Sequence, residues 1–331
     1  MMNRNFLVHA GKDWWKQVAT QWNRFWFVPR KVGVLATMRI IFGGLLLYSH
    51  LILAIHLEDF IGNHAWVSQQ LGQHPSLEGS DLDLFSMSYL WDVQTQGILR
   101  LHQMVTILVT GFWCVGFLTR VTGPLCWFLQ LMCVHRLTGA LFGFDQIITY
   151  AVMYLMIAPT GSRYSIDAWL RAKISDRITS QKSILLDWLF PGNRSSVSAN
   201  IATRLFQIHL CVIYLFGGLS KSRGVTWWDG SATWYSISNL EYQSIDMTWI
   251  ANYPMVIATL TTVTFLWELS YAALIWPRLT RPVVLSIALG MHLGIASALG
   301  MATFGFAMIA ANLCFIEPRQ EILSEDQTAV C

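Results

Sequence analysis

The sequence predicts an all-α fold: a polytopic integral membrane bundle of about eight transmembrane helices, with both termini in the cytoplasm. Three observations predict it. The 331-residue chain is 54% hydrophobic and 12% charged, about half the charged share of an ordinary soluble domain. Several apolar runs approach the roughly 20 residues that a helix needs to cross a hydrocarbon core of about 30 Å, and spanning helices satisfy every backbone polar group within the segment. Lys and Arg are nearly confined to alternate loops, a bias that orients such a chain. One bundle domain is expected over 32–318, flanked by an N-terminal segment 1–31 and a cytoplasmic tail 319–331.

The N-terminal segment interleaves Trp14, Trp15, Trp22, Phe25, Trp26 and Phe27 with Lys12, Lys16, Arg24, Arg30 and Lys31. This mixture suits a helix lying in the headgroup layer; the aromatics outweigh the charge run, which disfavours a nucleic-acid arm. No compact apolar stretch ends in a small-residue cleavage site, so the segment is expected to be retained. Apolar runs place spans at 36–57, 98–118, 122–142, 145–160, 202–220, 255–276, 282–300 and 302–317. The loop 58–97 carries Glu58, Asp59, Glu78, Asp81, Asp83 and Asp92 without a Lys or Arg, whereas 161–203 carries Arg163, Arg171, Lys173, Arg177, Lys182 and Arg194. With a basic N-terminus in the cytoplasm, the acidic loop falls outside. Arg120 and 161–203 then fall inside, 221–254 outside, and Arg278 with Arg281 inside. Segment 161–200, with Ser195, Ser196 and Ser198, reads as the nearest approach to a linker.

A net charge of +3 is too small to imply a polyanionic partner, so no nucleic acid is expected. Cys114, Cys126, Cys133, Cys211 and Cys314 fall inside the spans, where they act as small packing residues. With no Cys-x-x-Cys, His-x-x-x-His or Glu-x-x-His spacing, no metal is expected.

Ionisable side chains are costly in hydrocarbon and form the functional shortlist: His102, His135, Arg136, Asp145, His209, Glu268 and His292. Arg39 is expected to snorkel toward the cytoplasm. His209 reads as an interhelical hydrogen bond, and His292, between Gly290 and Gly294, as either a close-packed face or a site wall. Arg136 requires an anionic or carbonyl partner, and Asp145, after a short turn, could be the anion. Glu268 is expected to be protonated or paired with His292 across spans six and seven. A proton-coupled transporter could use the same two residues, but the chain has no inverted repeat of interrupted helices.

Lys221 is the most informative residue. It follows an apolar run and two adjacent glycines and precedes a tryptophan-rich stretch. On a helix, Tyr214, Gly217 or Gly218, and Lys221 share one face. The glycines leave room beneath the amine for a flat ring or a neighbouring helix. Burial and the like charge of Arg223 favour a neutral amine, Asp229 opposes it, and a neutral lysine is a general base. The bland alternative is a lysine that snorkels to the headgroups. Trp227, Trp228, Trp234 and Tyr235 suit an outer interfacial segment near 227–240 that covers an opening toward the bilayer, and Asp229 or Ser231 could cap a helix there.

These residues resemble a known family. "YLFGGLSKSRGVTWWDGSATWY" is similar to the Tyr-x-x-x-Gly-x-x-Lys, then Trp-x-x-Gly, segment of the HTTM family, whose best-known members are the vitamin K-dependent gamma-carboxylases. "FGFDQIITYAVMYLMIAPTGSRYSIDAW" looks like its Gly-x-Asp and Ser-x-Asp segment, and "LGMHLGIASALGMATFGFAMIAANLCFIEP" like its His-containing penultimate span and Phe-rich last span. The likeness runs over most of residues 30–318. It implies a membrane enzyme working at the non-cytoplasmic side on reduced vitamin K or menaquinol. In the carboxylases a lysine takes a proton from the quinol and oxygen adds. The strong base so formed deprotonates a glutamyl γ-carbon that captures carbon dioxide, and vitamin K leaves as its epoxide.

By motif, the base carries over to Lys221, with Gly217, Trp228 and Gly230 as framework. His135 and Asp145 stand near the place of the family's histidine at the third-to-fourth-span turn, as further catalytic candidates. Tyr214, Gly217, Gly218, Trp228 and His292 are the quinol-binding candidates. Ser220 stands where the animal carboxylases carry the first lysine of a pair, and the sequence offers no counterpart of their large lumenal portion. The expected activity is therefore oxygen-dependent quinol epoxidation, with carboxylation of a protein or small-molecule acceptor as a further step. Expected partners are membrane lipid and the quinol. The alternative is a non-enzymatic quinone or lipid binder, or an accessory membrane protein.

Overall fold

The computed structural model describes residues 4–62, 65, 88–93, 95–137, 140–181 and 184–316, with backbone alone for 4–12 and 175–181. Glu78, Asp81 and Asp83 of the acidic loop and the tail 319–331 lie outside the described residues. The helices are α1 (Arg4–Phe27), α2 (Gly33–Ile55), α3 (Leu57–Phe60), α4 (Gln96–Val115), α5 (Thr119–Arg136), α6 (Gly143–Ile157) and α7 (Ile166–Gln181). They continue with α8 (Ile184–Leu189), α9 (Val197–Lys221), α10 (Val225–Trp228), α11 (Ala232–Ile237), α12 (Pro254–Leu274), α13 (Arg281–Ala298) and α14 (Ala302–Asn312). Among the described residues the fold is all-helical, with a single isolated bridge between Arg30 and Ser196.

Among the described residues, five helices, α2, α4, α9, α12 and α13, are long and apolar enough to cross a membrane. Each of the eight predicted spans meets a helix, but three of those helices fall short of that standard. α6 and the run Ala302–Phe315 are shorter apolar helices, and α14 alone, at 11 residues, is about 16 Å long. α5 contains Pro124 and ends on His135 and Arg136.

Side-chain register fixes the directions of the helices. The Arg30–Ser196 bridge, with N–H···O distances of 3.1 and 3.0 Å, ties the starts of α2 and α9 together. Phe42 and Phe206, each nine residues past its helix start, then stack at 6.1 Å, so α2 and α9 run parallel. α4 runs antiparallel to α2: Gln103 Nε2 donates to His50 O at 2.6 Å, and a Cβ on Gly43 would come within 2.8 Å of the Cys114 backbone. Lys221 consequently lies at the end of the bundle away from α1. That helix docks through its last turn, where Asn200 Nδ2 and Arg204 Nε donate to Phe25 O at 2.7 and 3.1 Å, while Trp14, Trp15 and Trp22 remain exposed.

Two expectations need correcting at the α1 end. Segment 161–200 is no linker: it holds α7 and α8. Nor does Arg39 snorkel. It is 0% exposed and donates to Thr160 O and Tyr164 O, both at 2.6 Å. Next to it, Asp167 accepts from Leu118 N at 2.7 Å and from Thr119 N and Oγ1 at 2.9 and 2.8 Å, capping α5. Gly116 joins these parts at φ 76°. A Cβ there would collide with Ser165 Cβ and approach Arg39 Nη1 to 2.8 Å, so only glycine fits.

At the other end, α10 and α11 fold back along the first half of α12. Thr233 N donates to Thr261 Oγ1 at 3.1 Å, and Thr261 Oγ1 donates to Thr233 Oγ1 at 2.8 Å. Gly230, at φ 82°, passes so near that a Cβ would lie 3.0 Å from Ala258 Cβ.

Candidate functional site

α9 begins where Ser196 Oγ accepts from Ala199 N at 3.1 Å and ends at Lys221, whose carbonyl accepts from Gly224 N at 3.0 Å. Its glycine face is occupied by α12. A Cβ on Gly218 would stand 2.9 Å from Leu269 Cδ2 and 3.0 Å from the Leu269 backbone nitrogen. On Gly217 it would stand 3.2 Å from Glu268 Oε2 and 3.8 Å from Lys221 Nζ. Of the two roles open to the glycines, close helix packing is the one observed.

That packing brings Lys221 to Glu268. The ammonium lies 2.7 Å from Oε2 and donates to Oε1 at 3.0 Å, with side-chain exposures of 26% and 10%. Lys221 Nζ also sits 5.2 Å from the centre of the Trp227 ring. Phe265, one turn from Glu268, meets Trp228 edge-on at 5.2 Å and Trp227 at 6.5 Å. Trp228 Nε1 donates to Ser222 O at 2.8 Å, and its residue is 69% exposed. Glu268 lies 14 residues beyond Pro254, about 21 Å along the helix, so the pair is recessed below the start of α12.

The expected Glu268–His292 pair is not formed, and the charge facing Lys221 is this carboxylate rather than exposed Arg223. His292 Nε2 instead shares a 2.8 Å hydrogen bond with Tyr214 OH. Asn312 Nδ2 donates to the same hydroxyl at 3.0 Å, and Tyr271 OH donates to Asn312 Oδ1 at 2.7 Å. All four residues are buried. Tyr214, His292, Asn312 and Tyr271 therefore tie α9, α13, α14 and α12 together beneath the ion pair. Asn312 and Tyr271 escaped sequence reasoning because neither carries charge nor marks a motif.

His135 and Asp145 are placed elsewhere. The His135 carbonyl accepts from Trp91 Nε1 at 3.2 Å, and the Asp145 carboxylate accepts from Phe142 N at 3.1 Å, capping α6. Arg136 takes a carbonyl partner, donating to Ile61 O at 3.1 Å with its guanidinium 4.2 Å from the Trp91 ring centre. Among the described residues neither His135 nor Asp145 contacts Lys221. His209 Nδ1 and Tyr154 OH share the interhelical hydrogen bond read from the sequence, at 2.9 Å. Beyond the pair, Asp229 accepts from Ser231 N and Oγ at 2.9 and 2.6 Å, and these bonds hold its carboxyl below the usual range. Among the described residues, no three His, Cys, Asp or Glu side chains converge to hold a metal.

Residues 178–319 match the HTTM domain family model. Over this segment the chain is similar to an HTTM domain, which together with its long apolar helices marks it as an integral membrane protein. The HTTM match covers less than half of the chain and is narrower than the motif likeness over 30–318. It contains Tyr214, Gly217, Gly218, Lys221, Trp228, Glu268, His292 and Asn312, and leaves out His135 and Asp145. No curated protein and no solved structure matches the chain.

Proposed function

We propose that this HTTM-like protein is a membrane enzyme that oxidises a quinol of the vitamin K or menaquinol type, with Lys221 taking the hydroxyl proton that starts the reaction. The observation that carries the proposal is the recessed Lys221–Glu268 pair inside the HTTM segment. Buried ion pairs do little for stability, whereas ionisable groups at membrane depth mark function by default. Lys221 remains partly accessible, and Trp227, Trp228 and Phe265 offer flat apolar faces beside it, a combination that suits a ring carrying a hydroxyl. Gly217 and Gly218 set the approach of α12, and Tyr214 with His292 steadies the helices beneath. His135 and Asp145 are assigned no step.

The reaction balances as quinol plus O2 giving quinone epoxide plus water: four electrons leave the organic molecule, and one oxygen atom goes to each product. Carboxylation of a protein or small-molecule acceptor would draw on the same basic intermediate. By the charge pattern of its loops, the site opens to the non-cytoplasmic side. The pairing of the ammonium with Glu268 favours a second reading, a quinone binder without turnover.

Oxygen uptake by the purified protein in lipid, supplied with menaquinol, separates the two. The enzyme consumes one O2 per quinol and loses this activity in Lys221→Ala. Bound quinol with oxygen uptake no faster than protein-free lipid would leave only the binder.

A further inference from the structure

We propose that Glu268 is the proton store of this site, an inference that rests on Lys221 acting as the base. Before quinol oxidation Glu268 takes a proton from the Lys221 ammonium, and the freed amine accepts the proton of the quinol hydroxyl. In the first transfer a Lys221 N–H bond breaks and a Glu268 O–H bond forms along the 3.0 Å hydrogen bond to Oε1. In the second, the quinol O–H bond breaks and the N–H bond is restored. Lys221 ends as the ammonium beside the quinol oxygen anion, and Glu268 ends neutral. The quinol proton has in effect moved to Glu268, and no co-reactant is consumed.

The argument for this order is charge. Starting from ammonium and carboxylate the site sums to zero, and it ends at zero as ammonium and quinol anion. At no stage does the recessed site hold an uncompensated charge, which surroundings of low polarity penalise heavily. An ammonium cannot accept a proton, so without Glu268 the lysine must first lose its own to water. The fold is built for close transfer: Gly217 opposes Glu268 Oε2 where a Cβ would stand 3.2 Å away.

Among the described residues, few groups face Glu268. α9 supplies Lys221 and, two turns before it, Tyr214; α13 supplies His292, through Tyr214; and Tyr271 lies one turn along α12 itself. Arg223 and Asp229 are exposed, toward the α10 end. Glu268 acts through Lys221 and is a positioning residue.

The test is the pH profile of epoxide formation from menaquinol by the protein in lipid, for wild type, Lys221→Ala, Glu268→Gln and Glu268→Asp. In Glu268→Gln the rate at neutral pH is expected to fall about a hundredfold and to climb roughly tenfold per pH unit, because the lysine proton must now leave to solvent. Wild type is expected to stay flat between about pH 6 and 9. Glu268→Asp keeps the carboxylate and is expected to restore the flat profile at a reduced rate, which gives a reading even if the amide variant does not fold. A flat profile in Glu268→Gln, or a Glu268→Asp profile as steep as that of an amide, would overturn the proton store. Lys221→Ala inactivity would then leave the base itself standing. Wild type that makes no epoxide would overturn both.

Discussion

Gly218 decides how closely α12 approaches α9, and with it whether Glu268 reaches Lys221. Its missing Cβ is opposed by the Leu269 backbone nitrogen at 3.0 Å, which cannot move without moving the helix. Gly218→Ala is therefore expected to cost about 1–3 kcal/mol through overpacking, read as a lower unfolding midpoint in detergent. At Gly217 the opposing atom is the end of a side chain, Glu268 Oε2 at 3.2 Å, so Gly217→Ala should disturb the ion pair more than the stability. Tyr214→Phe removes the hydroxyl that serves both His292 and Asn312. Interhelical hydrogen bonds in membranes are worth about 1 kcal/mol, and a loss of that order is the expected result in the same assay. Lys221, Tyr214 and both glycines were legible in the sequence as one helical face. The partner of Lys221 was not, because an intrahelical period says nothing about the register between two helices whose paired residues lie 47 positions apart.

The segment 225–237 and the Arg39–Asp167 joint are the elements that hold the two ends of the bundle. Asp229 pins the turn between α10 and α11 through Ser231. Its folded value lies below the unfolded one of about 3.9. Its stabilisation is therefore complete above the unfolded value and disappears as pH falls through the folded one. Amide hydrogen exchange over 225–237, corrected for intrinsic rate, is expected to accelerate below about pH 4. In Asp229→Asn, whose amide oxygen still accepts but does not titrate, it should lose that dependence. At the other end, Arg39→Met strips two carbonyls of a charged donor. Hydrogen bonds to charged groups contribute about 1.5–3 kcal/mol each, so a loss on the order of 3 kcal/mol in unfolding is expected. Sequence placed Arg39 near a membrane face and assigned it to the headgroups. The fold gives it the Thr160 and Tyr164 carbonyls, which come into reach only when the chain after α6 turns back under α2.

For the whole molecule, helical class and membrane character were legible because composition and apolar run length report them directly. The number of helices that cross was not: α5, α6 and α14 are too short or too polar to count by length and composition, and their placement depends on neighbours. The parallel course of α2 and α9 puts α8 and the 238–247 loop at opposite ends of the bundle. Trp188→Cys and Asp246→Cys, in a background without Cys331, are expected to react with an impermeant thiol reagent from opposite sides of sealed vesicles. The most direct test of the central claim is chemical. Purified protein in lipid, given oxygen and reduced vitamin K or menaquinol, is analysed for the quinone epoxide by mass spectrometry, wild type against Lys221→Ala. Epoxide from wild type and none from the variant is the predicted result; equal epoxide from both, or none from wild type with quinol bound, would contradict it.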